Sequence, residues 1–102
     1  MTTLDEHADG GQVRLELGET LTLGLEENPT AGYRWRVDSD GAPVIKLDGD
    51  QYEAPPRASV GAPGRHVWRL HATAVGSTTI HLSYGRSFGA RARAFALTVE
   101  VR

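Results

Sequence analysis

Along most of the chain, apolar and polar residues alternate with a period of two. Val13, Leu15 and Leu17 alternate with Arg14 and Glu16, and Leu21, Leu23 and Leu25 with Thr22 and Gly24. Tyr33, Trp35 and Val37 alternate with Arg34 and Arg36. His66, Trp68, Leu70 and Ala72 repeat the pattern, as do Ile80, Leu82 and Tyr84, then Phe95, Leu97, Val99 and Val101. Alternation over runs of about five to eight residues predicts half-buried strands, because successive side chains of a strand point to opposite faces. No segment carries a sustained 3.6-residue apolar stripe, so no α-helix is predicted.

Turn residues separate the runs. Gly18-Glu19 joins the first two strands tightly, Asn28-Pro29-Thr30-Ala31-Gly32 splits the second and third, and Asp38 to Pro43 follows the third. Val44 to Glu53 reads as a weaker strand with a bulge at Gly49. Ala54 to Gly64 reads as a long loop, Val75-Gly76-Ser77 as a short connection and Gly85 to Ala92 as another loop. Seven short strands, A to G, with turns at this spacing predict an all-β, immunoglobulin-like antiparallel sandwich. Residues 1–11 are polar and expected to be a disordered tail; 12–102 form a single domain. Successive strands run up and down, so the B–C, D–E and F–G loops are expected at one end.

The chain's 102 residues suit one modest core. The absence of cysteine excludes disulfides, thiolate nucleophiles and Cys-based zinc sites. A net charge of −2 argues against nucleic acid as a partner, and no stretch is long enough to span a bilayer. No apolar run follows a basic start, which leads to a cytoplasmic expectation, or a secreted or periplasmic one if a leader has been removed. Every acid but Glu100 lies at or before Glu53, while seven arginines lie at or after Arg57. Folding either interleaves these halves or leaves a basic loop end.

The three clustered loops carry the least routine residues. Pro29 fixes its own φ and keeps Asn28 extended, Asn28 can bond its backbone two residues on, and Gly32 is free to take positive φ. The result is a stiff, narrow loop with a small apex at Thr30-Ala31, and a stiff loop loses little entropy on entering a cleft. Gly61, Ala62, Pro63 and Gly64 permit close backbone approach to another surface. In the third loop, Phe88 with the guanidiniums of Arg86 and Arg91 offers interface anchors. On composition alone the first two loops also read as ordinary connections, and Phe88 either anchors a partner or tucks under its loop.

Asn28-Pro29-Thr30-Ala31-Gly32-Tyr33-Arg34-Trp35 resembles the Asn-Pro-Thr-Thr-Gly-Tyr-x-Trp motif of the chagasin-type inhibitors of cysteine peptidases. Gly61-Ala62-Pro63-Gly64 resembles that family's Gly-x-Gly-Gly loop, and Tyr84 with Arg86-Ser87-Phe88 its Tyr-x-Arg-Pro-Trp segment. Order and spacing agree from about Gly11 to Val101. The resemblance implies reversible inhibition of a papain-like cysteine peptidase, with the first loop in the active-site cleft and Thr30 near the thiolate. The other two loops flank it, with Arg86 and Phe88 on the histidine-side wall. Ala31, Pro63, Ser87 and Phe88 depart from the family pattern; each departure costs on the order of 1–2 kcal/mol at an interface, roughly 5–30-fold in affinity.

An enzyme is not predicted, since none of the loop serines has a Gly-x-Ser-x-Gly context. Asp38/Asp40 and Asp48/Asp50 read as solvated turns rather than a calcium site, and His71 with His81 as an incomplete metal site. No cofactor is expected, and a monomer is. The alternative function is a generic immunoglobulin-like protein-binding module. Leu15, Leu21, Leu23, Trp35, Trp68, Leu70, Ile80, Leu82, Leu97 and Val99 are the expected core, with Trp35 at its centre.

Overall fold

A computed structural model describes residues 2–29, 32–55, 63–86 and 91–102, with Arg91 described for its backbone alone. The described residues form eight strands: β1 (Thr2–Leu4), β2 (Gln12–Leu15), β3 (Thr20–Glu27), β4 (Arg34–Ser39), β5 (Ile45–Glu53), β6 (Gly64–Ala72), β7 (Gly76–Gly85) and β8 (Arg91–Val101). They form two four-stranded sheets, ordered β1-β3-β6-β5 and β2-β8-β7-β4. This is an immunoglobulin-like sandwich. Strands A to G of the alternation are β2 to β8. The bulge in β5 falls between Leu47 and Gly49, where the register against β6 shifts. β6 and β7 lie in different sheets, so His71 and His81 are on opposite layers.

The N-terminal segment departs from the expected tail. Thr2–Leu4 pairs in parallel with Leu21–Leu23 of β3, and Glu6–Ala8 forms a short 3-10 turn. The Ala96 amide then donates to Asp9 Oδ1, Gly10 N donates to Ala96 O at 2.8 Å, and β2 continues in parallel with β8. A polar segment can dock this way because sheet edges offer unpaired main-chain groups whatever the side chains are.

All ten expected core residues are buried, joined by Leu25, Ile45, Ala72, Phe95 and Val101. Burying a leucine fully contributes about 1.5–3 kcal/mol. Trp35 is not central. At 9% exposure it borders the core at the loop end, whereas Leu21, Leu23 and Val99 are fully buried. Leu17 also departs from its alternation. Its amide is taken by Arg102 O at 2.9 Å in the A–B turn, and its side chain is exposed.

Register fixes where the loops lie. Glu27 opposes Gly64 and Glu53 opposes Arg65 in one sheet; Gly85 opposes both Arg34 and Arg91 in the other. The β3–β4, β5–β6 and β7–β8 connections therefore leave the sandwich at one end.

Candidate functional site at the loop end

The first loop is held at both feet by side chains. Asn28 N donates to the Tyr84 phenol at 2.9 Å, and Trp35 N donates to Glu27 Oε2 at 2.8 Å. The Trp35 indole also donates to Glu26 O at 2.7 Å, tying β4 to the opposite sheet. Within the loop, Gly32 N donates to Pro29 O at 3.0 Å, and Gly32 has φ +85°, a conformation strained for any residue with a Cβ. Thr30 and Ala31, the expected apex, lie outside the described residues.

Beneath the loop runs an aromatic stack. Arg86 places its guanidinium 4.9 Å from the centroid of Tyr33, Tyr33 lies 5.5 Å from Tyr84, and Tyr84 lies 4.9 Å from Trp35. Arg93 covers Tyr84 at 5.9 Å. Stacked rings at these separations hold each other through area and quadrupole, and the guanidinium adds a cation–π contact. Arg86, one of the expected anchors, is thus exposed and propped on the first loop. Ser87 and Phe88 lie outside the described residues.

The middle loop divides. Gly61 and Ala62 lie outside the described residues, and Pro63 is exposed. Gly64 is not a loop tip: it is buried as the first residue of β6, where a Cβ would overlap the Glu53 carbonyl oxygen and the Tyr52 phenol. Its glycine serves this close approach. Pro63 completes a shallow groove with Asn28, Tyr33, Tyr84, Arg93 and Glu26, so all three loop regions converge.

Sequence reasoning missed Tyr33, Glu27 and His66 as site residues. Glu27 continues the inward face of Leu21, Leu23 and Leu25, and that phase was the available signal. His66 shares the face of Trp68 and stacks on it at 4.2 Å. Of the four acids read as solvated turns, two have structural partners. Asp40 Oδ1 accepts from Ala42 N, and Asp50 meets His66. Charge is not evened out by folding. Arg34, Arg36, Arg86 and Arg93 stand exposed at the loop end of one sheet, and Glu26, Asp50 and Glu53 at that of the other.

The fold and the braced feet of the first loop are those of a protein-binding module. A family model described as chagasin family peptidase inhibitor I42 matches residues 14–101. The chain belongs to the chagasin family of peptidase inhibitors. Amoebiasin-1 of Entamoeba histolytica is 32% identical over 104 residues, covering 98% of this chain and 99% of that protein. Amoebiasin-2 of the same organism is 31% identical over 85 residues, 81% of this chain and 68% of the other. The crystal structure of the cysteine protease inhibitor EhICP2 from Entamoeba histolytica superposes with a TM-score of 0.88 at 26% identity, covering 99% of this chain and 95% of that one. The protein is an inhibitor, not an enzyme.

Proposed function

We propose that this protein reversibly inhibits papain-like cysteine peptidases, as a monomer, by seating the Asn28–Gly32 loop in the active-site cleft. The segments at 61–64 and 86–88 flank that loop along the cleft walls. The observation that carries this reading is the bracing of the first loop at both feet, by Tyr84 and Glu27, above an aromatic stack. A loop fixed before binding loses little entropy when it enters a cleft. It blocks the enzyme because no peptide bond is presented in register with the thiolate.

Titration of papain, and then of a cathepsin L-type enzyme, with a fluorogenic substrate tests the reading. Reversible inhibition at sub-micromolar concentration is expected. Thr30→Arg should weaken it by about a hundredfold or more, with an unchanged melting curve. Inhibition that survives Thr30→Arg rejects the wedge. No inhibition of either enzyme at tens of micromolar favours the generic binding module.

A further inference from the structure

Glu27 is 1% exposed, at a position where an apolar residue would continue the inward face of β3. Burying a carboxylate is costly, and ion pairs in such places are often replaceable by apolar side chains without loss of stability. Stability alone therefore does not account for an acid here. What a leucine could not do is accept a hydrogen bond from Trp35. β4 is an edge strand of its sheet, so main-chain N–H groups on its open side have no neighbouring strand among the described residues. Glu27 Oε2 takes the one at Trp35, two residues after the family motif's tyrosine.

The carboxylate is itself held. His66 Nδ1 lies 3.0 Å from Glu27 Oε1 and 3.1 Å from Oε2, and His66 Nε2 lies 2.5 Å from Asp50 Oδ2. Carboxylate oxygens only accept, so the ring satisfies both neighbours when it carries a proton on each nitrogen. Its plane is fixed by stacking on Trp68, 8° from parallel. Asp50, His66, Glu27 and the Trp35 amide come from β5, β6, β3 and β4, which spans both sheets at the loop end.

We propose that Glu27 and His66 are positioning residues for the inhibitory wedge: the relay from Asp50 through His66 and Glu27 to the Trp35 amide presets the Asn28–Gly32 loop before the peptidase arrives. This rests on the wedge reading above. Neither side chain is required to touch the enzyme; both act through the loop's foot.

The test uses His66→Phe, which keeps a ring on Trp68 but removes both nitrogens, and Glu27→Leu, with Glu27→Gln as the conservative variant. Gln retains an oxygen for the Trp35 amide. In the free protein, amide hydrogen exchange at Gly32 and Trp35 should rise about tenfold in His66→Phe and Glu27→Leu, and exchange in the centre of β6 should stay as in the parent. Association with papain should slow by about tenfold in both, and Glu27→Gln should restore protection and most of the rate. If Glu27→Leu does not fold, His66→Phe carries the test. Parent-like exchange at Gly32 and Trp35 in His66→Phe overturns the proposal. So does a uniform rise across β3 and β6, which marks a merely structural pair. The exchange arm needs no peptidase, so a parent that fails to inhibit papain, with the exchange pattern as expected, faults the wedge reading and not the relay.

Discussion

The two ends of the sandwich are closed by different chemistry. At the turn end the ties across the connections are mostly main chain to main chain: Gly18 N to Ala72 O, Ala72 N to Glu19 O and Thr73 N to Val44 O, each at 2.9 Å, and Ile45 N to Gly41 O at 3.0 Å, with the Thr73 hydroxyl and the Asp40 and Glu19 carboxylates adding bonds to Pro43 O, Ala42 N and Glu16 N. At the loop end the ties described above run from main chain to side chain or from side chain to main chain: Asn28 N to Tyr84, Trp35 N to Glu27 and the Trp35 indole to Glu26 O. Main-chain closure works with almost any residues but uses up the peptide groups. Side-chain closure makes the exact residues matter, and it fixes a loop without consuming all of its own peptide groups. That suits an end that must meet another protein.

The largest effect expected from breaking this contrast is at Trp35, where the core and the loop end meet. Trp35→Ala removes a buried indole, its bond to Glu26 O and the ring beneath Tyr84, and should cost about 3–5 kcal/mol. For a domain of this size, stable by about 5–15 kcal/mol, a thermal melt should show the chain largely or wholly unfolded at a much lower temperature. An unchanged melting curve would mean that the loop end is not coupled to the core.

A matched pair of glycines sharpens the comparison. Gly32 at the loop end and Gly41 at the turn end have nearly the same φ, +85° and +88°. Among the described residues, a Cβ on Gly32 would approach only Arg86 Cγ, at 4.0 Å, whereas one on Gly41 would meet Thr78 Cγ2 at 2.9 Å and Ile45 Cβ at 3.2 Å. Gly41→Ala should therefore destabilise by about 2–3 kcal/mol, from strain and overpacking together, and leave the folded protein's inhibition intact. Gly32→Ala should cost about 1 kcal/mol of stability but weaken inhibition by tenfold or more, because the strain is relieved by moving the loop. Paired melting and inhibition titrations check this. A Gly41→Ala protein that is stable but a poor inhibitor would dissolve the division between the ends.

The fold was largely legible because alternation such as Leu21-Leu23-Leu25 and Leu97-Val99-Val101 depends on burial alone. β1 was not, since three residues carry no periodicity and dock through main-chain groups. Leu17 continued the pattern past the point where a turn had claimed its backbone. In the candidate site, the first loop was visible as a local string, Asn28 to Gly32, rich in residues with fixed backbone preferences. Its bracing was not visible, because Trp35 meets Tyr84, 49 positions further along the chain, only through the sheet register, and no local string records that. Glu27 was missed for a different reason: its identity says outside while its phase says inside, and such a conflict is resolved only by seeing who accepts the charge.

The smallest expected effect lies at the turn end and turns on Glu19. Its carboxylate accepts from Thr2 Oγ1 and from Glu16 N, so it ties the edge strand β1 to the A–B turn. The Thr2 hydroxyl first, and the Glu16 amide second, hold its pKa below the ordinary glutamate value. A carboxyl lowered on folding binds fewer protons in the folded than in the unfolded state. Its contribution is therefore present above the unfolded value and is lost as pH falls through the folded one. A carboxyl-carbon NMR titration should place the Glu19 inflection below that of an unpaired glutamate, and amide exchange in β1 should quicken as the pH passes below it. Glu19→Gln should remove the titration and loosen β1 at all pH values, while inhibition at neutral pH stays at the parent level. Since β1 pairs only with the first residues of β3, at the end remote from Glu27, any loss of inhibition in Glu19→Gln would show that loosening one end of the sandwich reaches the other.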